Sequence, residues 1–258
     1  MRGTRTRQVN WWFTKPIGTI FNSRIAPAVR AAAVLAFLGV AGVPLVSGCH
    51  STTASAPSSA ITSAAASAGI YGDPAAAAKY WRAQSLEDNC GLMSVADVVG
   101  ELTGNEPTEQ QMITLAQHTP SGTNPGPIYA PSADPSHANG NGGVEMADLV
   151  VLLDHYGIKS AMYWTEHPET TGMPALQQYL RDGRKAIAWV NSAVIWNTDD
   201  QRKKADHYLV VTGIDADKQV VHLNDPGADH PDEQVSVTTF TKAWHPGEES
   251  IVVTAKAG

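Results

Sequence analysis

The sequence is poor in cysteine and lacks the short motifs of several large enzyme classes. It has two cysteines, Cys49 and Cys90, in 258 residues, which excludes a disulfide framework and a cysteine-rich zinc site. It has no Walker A loop, no GxGxxG motif after a strand and no HExxH motif, so nucleotide-driven and zincin-type chemistry are disfavoured. We therefore expect neither a metal nor an organic cofactor.

Positive charge is scarce outside the N-terminus. Residues 1–49 carry six basic residues and no acid, whereas residues 50–258 carry twelve basic and twenty-five acidic residues. No run of Lys and Arg is longer than residues 202–204. Nucleic-acid binding depends on basic side chains that neutralise phosphates, so we expect no nucleic-acid partner.

The N-terminal segment has the pattern of an export signal. Residues 31–48 contain no charge, follow Arg24 and Arg30, and end in Val-Ser-Gly before Cys49. A basic flank, an apolar stretch and small residues at its end are typical of a secretory signal. The end of the stretch resembles the bacterial lipoprotein signal, which implies that Cys49 becomes the lipidated first residue of an exported, membrane-tethered chain. An uncleaved anchor and plain secretion stay open, because these 18 residues approach the lower limit for a membrane span.

Composition divides the chain into three parts. The leader occupies residues 1–49. Residues 50–70 are rich in Ser and Ala and have too few large apolar side chains to offset chain entropy, so they are predicted to form a flexible tether. We assign the folded domain to residues 71–258.

The folded domain is predicted to have an α+β fold, with N-terminal helices packed on a C-terminal antiparallel sheet. Apolar residues at helical spacing predict the earlier elements, and short runs rich in β-branched residues predict the later ones. A long Pro/Gly-rich loop is expected at 118–143 and a hairpin turn at 215–218. The predicted helices are 90–102, 108–116, 143–156 and 174–180, and the predicted strands are 159–164, 186–190, 208–213, 220–223, 234–237 and 250–254.

Cys90 is the candidate nucleophile, because it lies where a loop becomes a helix. Backbone N–H groups and the helix dipole at that end favour a thiolate over a thiol. Gln84, six residues upstream, can donate a side-chain hydrogen bond to the oxyanion formed by attack of Cys90. The alternative for Cys90 is a buried small hydrophobe, although an unpaired thiol is a liability in an exported protein.

His207 and Asp225 are the candidate partners of this thiol. His207 opens an apolar strand and can take the thiol proton, since the ordinary pKa of histidine lies near neutrality. Asp225 follows the next predicted strand, and a hairpin would bring it back beside His207, where it can orient the imidazole. The alternatives are a solvent-facing histidine at a strand edge and a structural Asn-Asp-Pro-Gly turn at 224–227.

Taken in order, these residues resemble a papain-fold cysteine peptidase and, more narrowly, family thirty-nine of the cysteine peptidases, the bacteriocin double-glycine leader peptidase-like group. The resemblance covers residues 80–254. It rests on Gln84-x5-Cys90-Gly, on a histidine that opens a Val-rich strand ending in Thr-Gly-Ile-Asp, and on Asn-Asp-Pro after the next strand. It implies that Cys90 is the nucleophile and His207 the general base. Asp225 matches the orienting acid and Gln84 the oxyanion glutamine.

Three functions follow from these observations. The first is an exported, membrane-tethered cysteine peptidase that acts on peptides or cell-envelope proteins. The second is a papain-like amidase or transferase acting on peptidoglycan, although the Asp-Cys-Ser-Gly start usual in that group is absent around Cys90. The third is a binding protein with the same fold and no catalysis, which a large separation between Cys90 and His207 would favour.

The transporter and ATPase to which the leader peptidases are joined are absent, so processing of double-glycine leaders is not expected. The sequence does not predict an oligomeric state.

Overall fold

The computed structural model of the chain describes residues 69–130 and 143–256. The predicted leader with its Cys49, the tether up to residue 68 and most of the second half of the predicted loop, 131–142, lie outside these residues. Over the two described ranges, no helix combines the length and the apolar character that a membrane span needs.

The described ranges form seven α-helices and seven β-strands. The helices are α1 (Pro74–Ala77), α2 (Cys90–Thr103), α3 (Glu109–His118), α4 (Met146–His155), α5 (Gly172–Arg181), α6 (Ser192–Ile195) and α7 (Val237–Trp244). The strands are β1 (Ile70–Gly72), β2 (Ser160–Tyr163), β3 (Ala186–Val190), β4 (His207–Asp215), β5 (Val220–Asn224), β6 (Glu233–Ser236) and β7 (Ile251–Thr254).

One antiparallel sheet contains all seven of these strands. Its order is β2-β7-β3-β4-β5-β6, and β1 pairs with the C-terminal half of β4. The predicted α+β class with an antiparallel sheet is confirmed. The predicted hairpin turn is also present, since Lys218 N–H donates to the Asp215 carboxylate between β4 and β5. The elements β1, α1 and α6 were not predicted, because they are too short to show a periodic pattern.

Local signals set the ends of the helices that carry or support the site. Gly104 ends α2 in the left-handed conformation, with φ 73°. A capping box begins α3, where Thr108 and Gln111 satisfy each other's backbone N–H groups. The apolar side chains of α2 are buried as far as Val99, whereas Leu102 in the last turn is exposed. In α4, Val150 is half-buried and packs against the core.

The sheet is covered on both faces. One core cluster joins α2, α3 and α4 to side chains such as Tyr208 and Val210, and the other joins α5 and α7 to Leu209 and Val211. A β-bulge between Val211 and Gly213 then shifts the alternation by one residue, so that Ile214 stays on the α5 and α7 side. The bulge thus shifts the register of β4 against β5 by one residue, and β4 remains buried along its whole length.

Candidate active site

Cys90 lies at the N-terminus of α2 and is a free thiol with 6% of its surface exposed. The backbone N–H of Tyr208, on β4, donates to its Sγ at 3.5 Å. The N–H groups of the first helical turn have no intrahelical acceptor and leave partial positive charge at this end. The sulfur therefore lies at the edge of the apolar core, where it accepts one backbone hydrogen bond at the positive end of a helix.

His207, the first residue of β4, faces both Cys90 and Asp225. Its Nε2 lies 2.6 Å from Oδ1 of Asp225, and its side chain is 4% exposed. Burial lowers the pKa of an imidazole, but the charges of Asp225 and Cys90 and hydrogen bonds with both raise the pKa of His207 to about 10. Because Nε2 of His207 is hydrogen-bonded to Asp225, Nδ1 is the ring nitrogen that can interact with the Cys90 sulfur. The large separation that would favour a non-catalytic protein is not found.

Asp225 is fully buried and surrounded by donors. Its Oδ1 also accepts the Gly227 N–H at 2.7 Å, and its Oδ2 accepts the indole N–H of Trp196 at 2.8 Å. Burial raises the pKa of a carboxyl, but the charge of His207 and these hydrogen bonds hold the pKa of Asp225 below its ordinary value. The predicted turn at 224–227 is present, because the Asp225 carbonyl accepts the Ala228 N–H. The role of Asp225 as the orienting acid stays a prediction.

The β4–β5 hairpin explains why residues eighteen positions apart meet. Asn224, the last residue of β5, pairs with Val210 in β4. The next residue, Asp225, therefore lies near the start of β4, where His207 is found. The return of Asp225 toward His207 was predicted from the two strands and the turn at 215–218. The β-bulge in β4 was not predicted.

Trp196 completes the site and was not predicted to do so. Its ring lies 5.0 Å from the His207 ring, between centroids, and it is 40% exposed. A Cβ at Gly227 would come within 2.5 Å of the Trp196 ring, so the turn after Asp225 needs glycine there. The indole thus covers the His207–Asp225 pair and leaves an apolar surface at the rim of the site.

Gln84 lies next to the Asp225 turn, and its side chain is engaged elsewhere. Its backbone N–H donates to the Pro226 carbonyl at 2.9 Å, while its side-chain amide donates to the Leu86 carbonyl at 2.8 Å. Among the described residues, no hydrogen bond joins Gln84 to Cys90. Its assignment as an oxyanion donor stays a prediction.

A half-buried carboxylate holds the loop that leads into Cys90. Glu109, the first residue of α3, accepts the backbone N–H and the hydroxyl of Ser85 and the side-chain amide of Asn89, each at 2.7 Å. Burial raises the pKa of Glu109, but these hydrogen bonds outweigh it and lower the pKa below its ordinary value. The Tyr129 hydroxyl fixes Asp88 in the same loop at 2.8 Å. The only signal in the sequence is an acid at a helix start, which is too common to identify this role.

A second carboxyl, Glu233, lies beside Asp225 at the start of β6. Burial and the neighbouring negative charge of Asp225 raise the pKa of Glu233 to about 7. Asp225 accepts hydrogen bonds from the surrounding N–H groups, which favour its ionised form, whereas Glu233 retains its proton more readily. In residues 69–130 and 143–256, no three His, Cys, Asp or Glu side chains are grouped to hold a metal ion.

The arrangement supports acyl transfer through a thiol. A sulfur beside an imidazole, and an imidazole oriented by a carboxylate, are the parts of a nucleophile, a base and an orienting acid. The structure brings three of the predicted site residues together, namely Cys90, His207 and Asp225. It places Gln84 at the edge of the site, and Cys49 lies outside the described residues.

The sequence comparisons place the chain in a family. The profile of the Peptidase_C39 like family matches residues 44–250, so the chain belongs to this family. The uncharacterized protein Rv1268c of Mycobacterium tuberculosis is 44% identical over 201 residues, which covers 74% of this chain and 86% of that protein. The resemblance seen in the sequence is therefore confirmed at the level of the family.

Two solved structures are similar to the chain at lower identity. A C39-like peptidase from Bacillus anthracis is 19% identical, with a TM-score of 0.46, and the match covers 69% of this chain and 94% of that one. The peptidase domain of Streptococcus ComA is 14% identical, with a TM-score of 0.42, over 69% of this chain and 98% of that one.

Proposed function

We propose that the protein is a cysteine peptidase that hydrolyses peptide or isopeptide bonds through Cys90, His207 and Asp225. The observation that carries this proposal is the buried chain of contacts from the Cys90 sulfur through the imidazole to the carboxylate. Membership of the Peptidase_C39 like family supports the same chemistry. Neither observation identifies the sequence that is cleaved.

The reaction proceeds through a thioester. With the pKa of His207 raised to about 10, the imidazole holds a proton at neutral pH, and the proposed nucleophile is the thiolate form of Cys90 beside it. The thiolate attacks the substrate carbonyl, and a C–S bond forms. The C–N bond then breaks as His207 gives its proton to the leaving amine. His207 next takes a proton from water, hydroxide attacks the thioester, and the Cys90 thiolate leaves.

The oxyanion of each tetrahedral intermediate needs two donors. The backbone N–H of Cys90 is one, since first-turn N–H groups of a helix lack intrahelical acceptors. The side-chain amide of Gln84 is the second candidate. For that role it must turn away from the Leu86 carbonyl when substrate binds.

Thiol labelling tests the proposal without a known substrate. In the full-length Cys49→Ser chain, Cys90 is the only thiol, and we expect iodoacetamide to label it in the native protein even at about pH 6. An ordinary thiol reacts about a hundredfold more slowly at that pH, because little thiolate is present. Mass spectrometry of the Cys90 peptide measures the rate. Labelling that occurs only after unfolding would show that the sulfur is an inert core group.

We also propose that the domain acts outside the cytoplasm on peptides or cell-envelope proteins, tethered by a lipid on Cys49. The support is the uncharged stretch 31–48, its basic flank and the Val-Ser-Gly-Cys end. The full-length chain expressed in a bacterium should fractionate with membranes, and Cys49→Ala should be released or stay unprocessed. Mass spectrometry that finds residues 1–48 attached to the mature protein would contradict lipidation.

A further inference from the structure

A buried contact ties the helix of the nucleophile to the strand end that carries Asp225. Asp97 lies on α2, two turns after Cys90, and is 2% exposed. The side-chain amide of Asn224 donates to Asp97 Oδ2 at 2.7 Å. Asn224 directly precedes Asp225, so this hydrogen bond joins the two halves of the site.

The amide of Asn224 has no spare hydrogen for another acceptor. Its second N–H donates to the Ala77 carbonyl of α1 at 2.9 Å, and its Oδ1 accepts the Asp232 N–H at 3.4 Å. The other carboxyl oxygen of Asp97 is buried and has no hydrogen-bond partner among the described residues. Asn224 therefore connects three chain segments, and Asp97 is the connection to α2.

We propose that the Asp97–Asn224 hydrogen bond is a positioning contact that sets the helix carrying Cys90 against the strand end carrying Asp225. The proposal deepens the proposed function and rests on it for its consequence, the reactivity of the Cys90 thiol. Asp97 is the seventh residue after Cys90, which places it about 10 Å further along the helix axis. A shift of either partner of the hydrogen bond therefore acts on the geometry between Cys90, His207 and Asp225.

The charge state of Asp97 gives this contact a pH dependence. Burial raises the pKa of Asp97 to about 8, against the lowering effect of the Asn224 hydrogen bond. The charged groups that face Asp97 are Glu101 on α2, Arg82 in the segment that precedes α2, and Lys185, which directly precedes β3. Lys185 is already paired with Glu101, so it is not a free partner. The Asn224 hydrogen bond favours the ionised form, but the second oxygen of Asp97 has no donor among the described residues. Hydration of the buried charge therefore requires water to enter beside Asp97, which displaces α2 from the packing around it.

Two variants and two measurements test the contact in the full-length Cys49→Ser chain. The alkylation rate of Cys90 reports the thiol, and the ring nitrogen shifts of His207, measured by NMR, report the imidazole without any turnover. Asp97→Asn can accept the same hydrogen bond but cannot ionise. We expect both readouts to change through about pH 8 in the parent, with alkylation falling about threefold or more, and to stay constant there in Asp97→Asn. This inflection is separate from that of His207, whose pKa lies near 10.

Asp97→Leu removes the hydrogen bond altogether. It should lower Cys90 alkylation at pH 7 by about tenfold and shift the His207 signals, because a contact between the two halves of the site is lost. Ser94→Ala is the matched control, since Ser94 is also buried on α2 and its hydroxyl has no partner among the described residues. This variant should leave both readouts unchanged.

The outcomes separate the two proposals. An unchanged pH 8 inflection in Asp97→Asn, or parental values in Asp97→Leu, would overturn the positioning contact. Should Asp97→Leu fail to fold, the pH profile of Asp97→Asn decides alone. If Cys90 is inert in every variant, the peptidase proposal fails, and the His207 shifts still decide whether Asp97 positions the site.

Discussion

Replacement of Cys90 by alanine is expected to lower peptide hydrolysis by at least about 10⁴-fold, because loss of a catalytic nucleophile leaves only substrate binding and oxyanion stabilisation. No other cysteine lies within the folded domain predicted for residues 71–258. Initial rates with a peptide selected from a library by the native protein measure the effect. The loss should appear in kcat, since Cys90 contributes little surface to substrate binding.

The control for this variant is Ser94→Ala, one turn further along the same helix. Both changes remove one polar or polarisable atom from a buried position of α2, and both should keep the far-ultraviolet circular dichroism of the parent. Only Cys90→Ala should lose activity. Hydrolysis by Cys90→Ala at more than about a hundredth of the parental rate would remove Cys90 from the mechanism.

The elements predicted best are those with local causes. α2 begins at Cys90, as predicted, and ends at Thr103, one residue after the predicted end, because apolar spacing and a left-handed glycine depend on neighbouring residues only. The same holds for α3, whose predicted start at residue 108 is the N-cap Thr108 of the observed helix. The position of Cys90 at a helix start, on which the nucleophile hypothesis depends, was therefore available from the sequence.

Asp225 was found by a longer chain of reasoning. Two β-branched runs and a turn between them predicted the hairpin, and the hairpin predicted that Asp225 returns toward His207. The bulge between Val211 and Gly213 was not predicted, because both faces of β4 are buried and no polar alternation marks the register. The pairing succeeded because one shifted residue does not carry Asp225 out of reach.

The supporting residues could not be found in this way. Trp196 and Glu109 reach the site from segments that are distant in sequence, and an isolated tryptophan or a first-turn acid has many other uses. The side-chain orientation of Gln84 also depends on its loop rather than on a regular element. Contacts of this kind follow from tertiary packing, which the local pattern does not encode.

Asp225→Asn is expected to lower kcat on the order of 10²- to 10⁴-fold, the upper value being that of the same change in a serine triad. A thiolate depends less on its base than a serine does, which accounts for the lower value. The physical reason is that N–H donors surround the Asp225 carboxylate. His207, Gly227 and Trp196 all present N–H groups to Asp225, so either orientation of an asparagine places its amide nitrogen against a donor.

The same variant should lose stability in a pH-dependent way. The pKa of His207 is raised from 6.5 to about 10, so its contribution to stability is complete below 6.5 and is lost as the pH rises through 10. The pKa of Asp225 is lowered from 3.8, so its contribution is present above 3.8 and is lost as the pH falls below it. The free energy of unfolding should therefore differ most between parent and variant from about pH 4 to 6.5, by about 3 kcal/mol for a broken buried pair.

A second histidine–aspartate pair in the same sheet provides the control. His222 Nδ1 lies 2.7 Å from Asp232 Oδ1, but the pair is partly exposed. Asp232 has φ 55°, a conformation that asparagine tolerates, so Asp232→Asn should fold without strain. Urea unfolding at several pH values compares the two variants. Only Asp225→Asn should combine the loss of kcat with a stability difference that shrinks toward pH 10, because only Asp225 holds the imidazole that faces Cys90. A difference that grows with pH would contradict a charged His207–Asp225 pair.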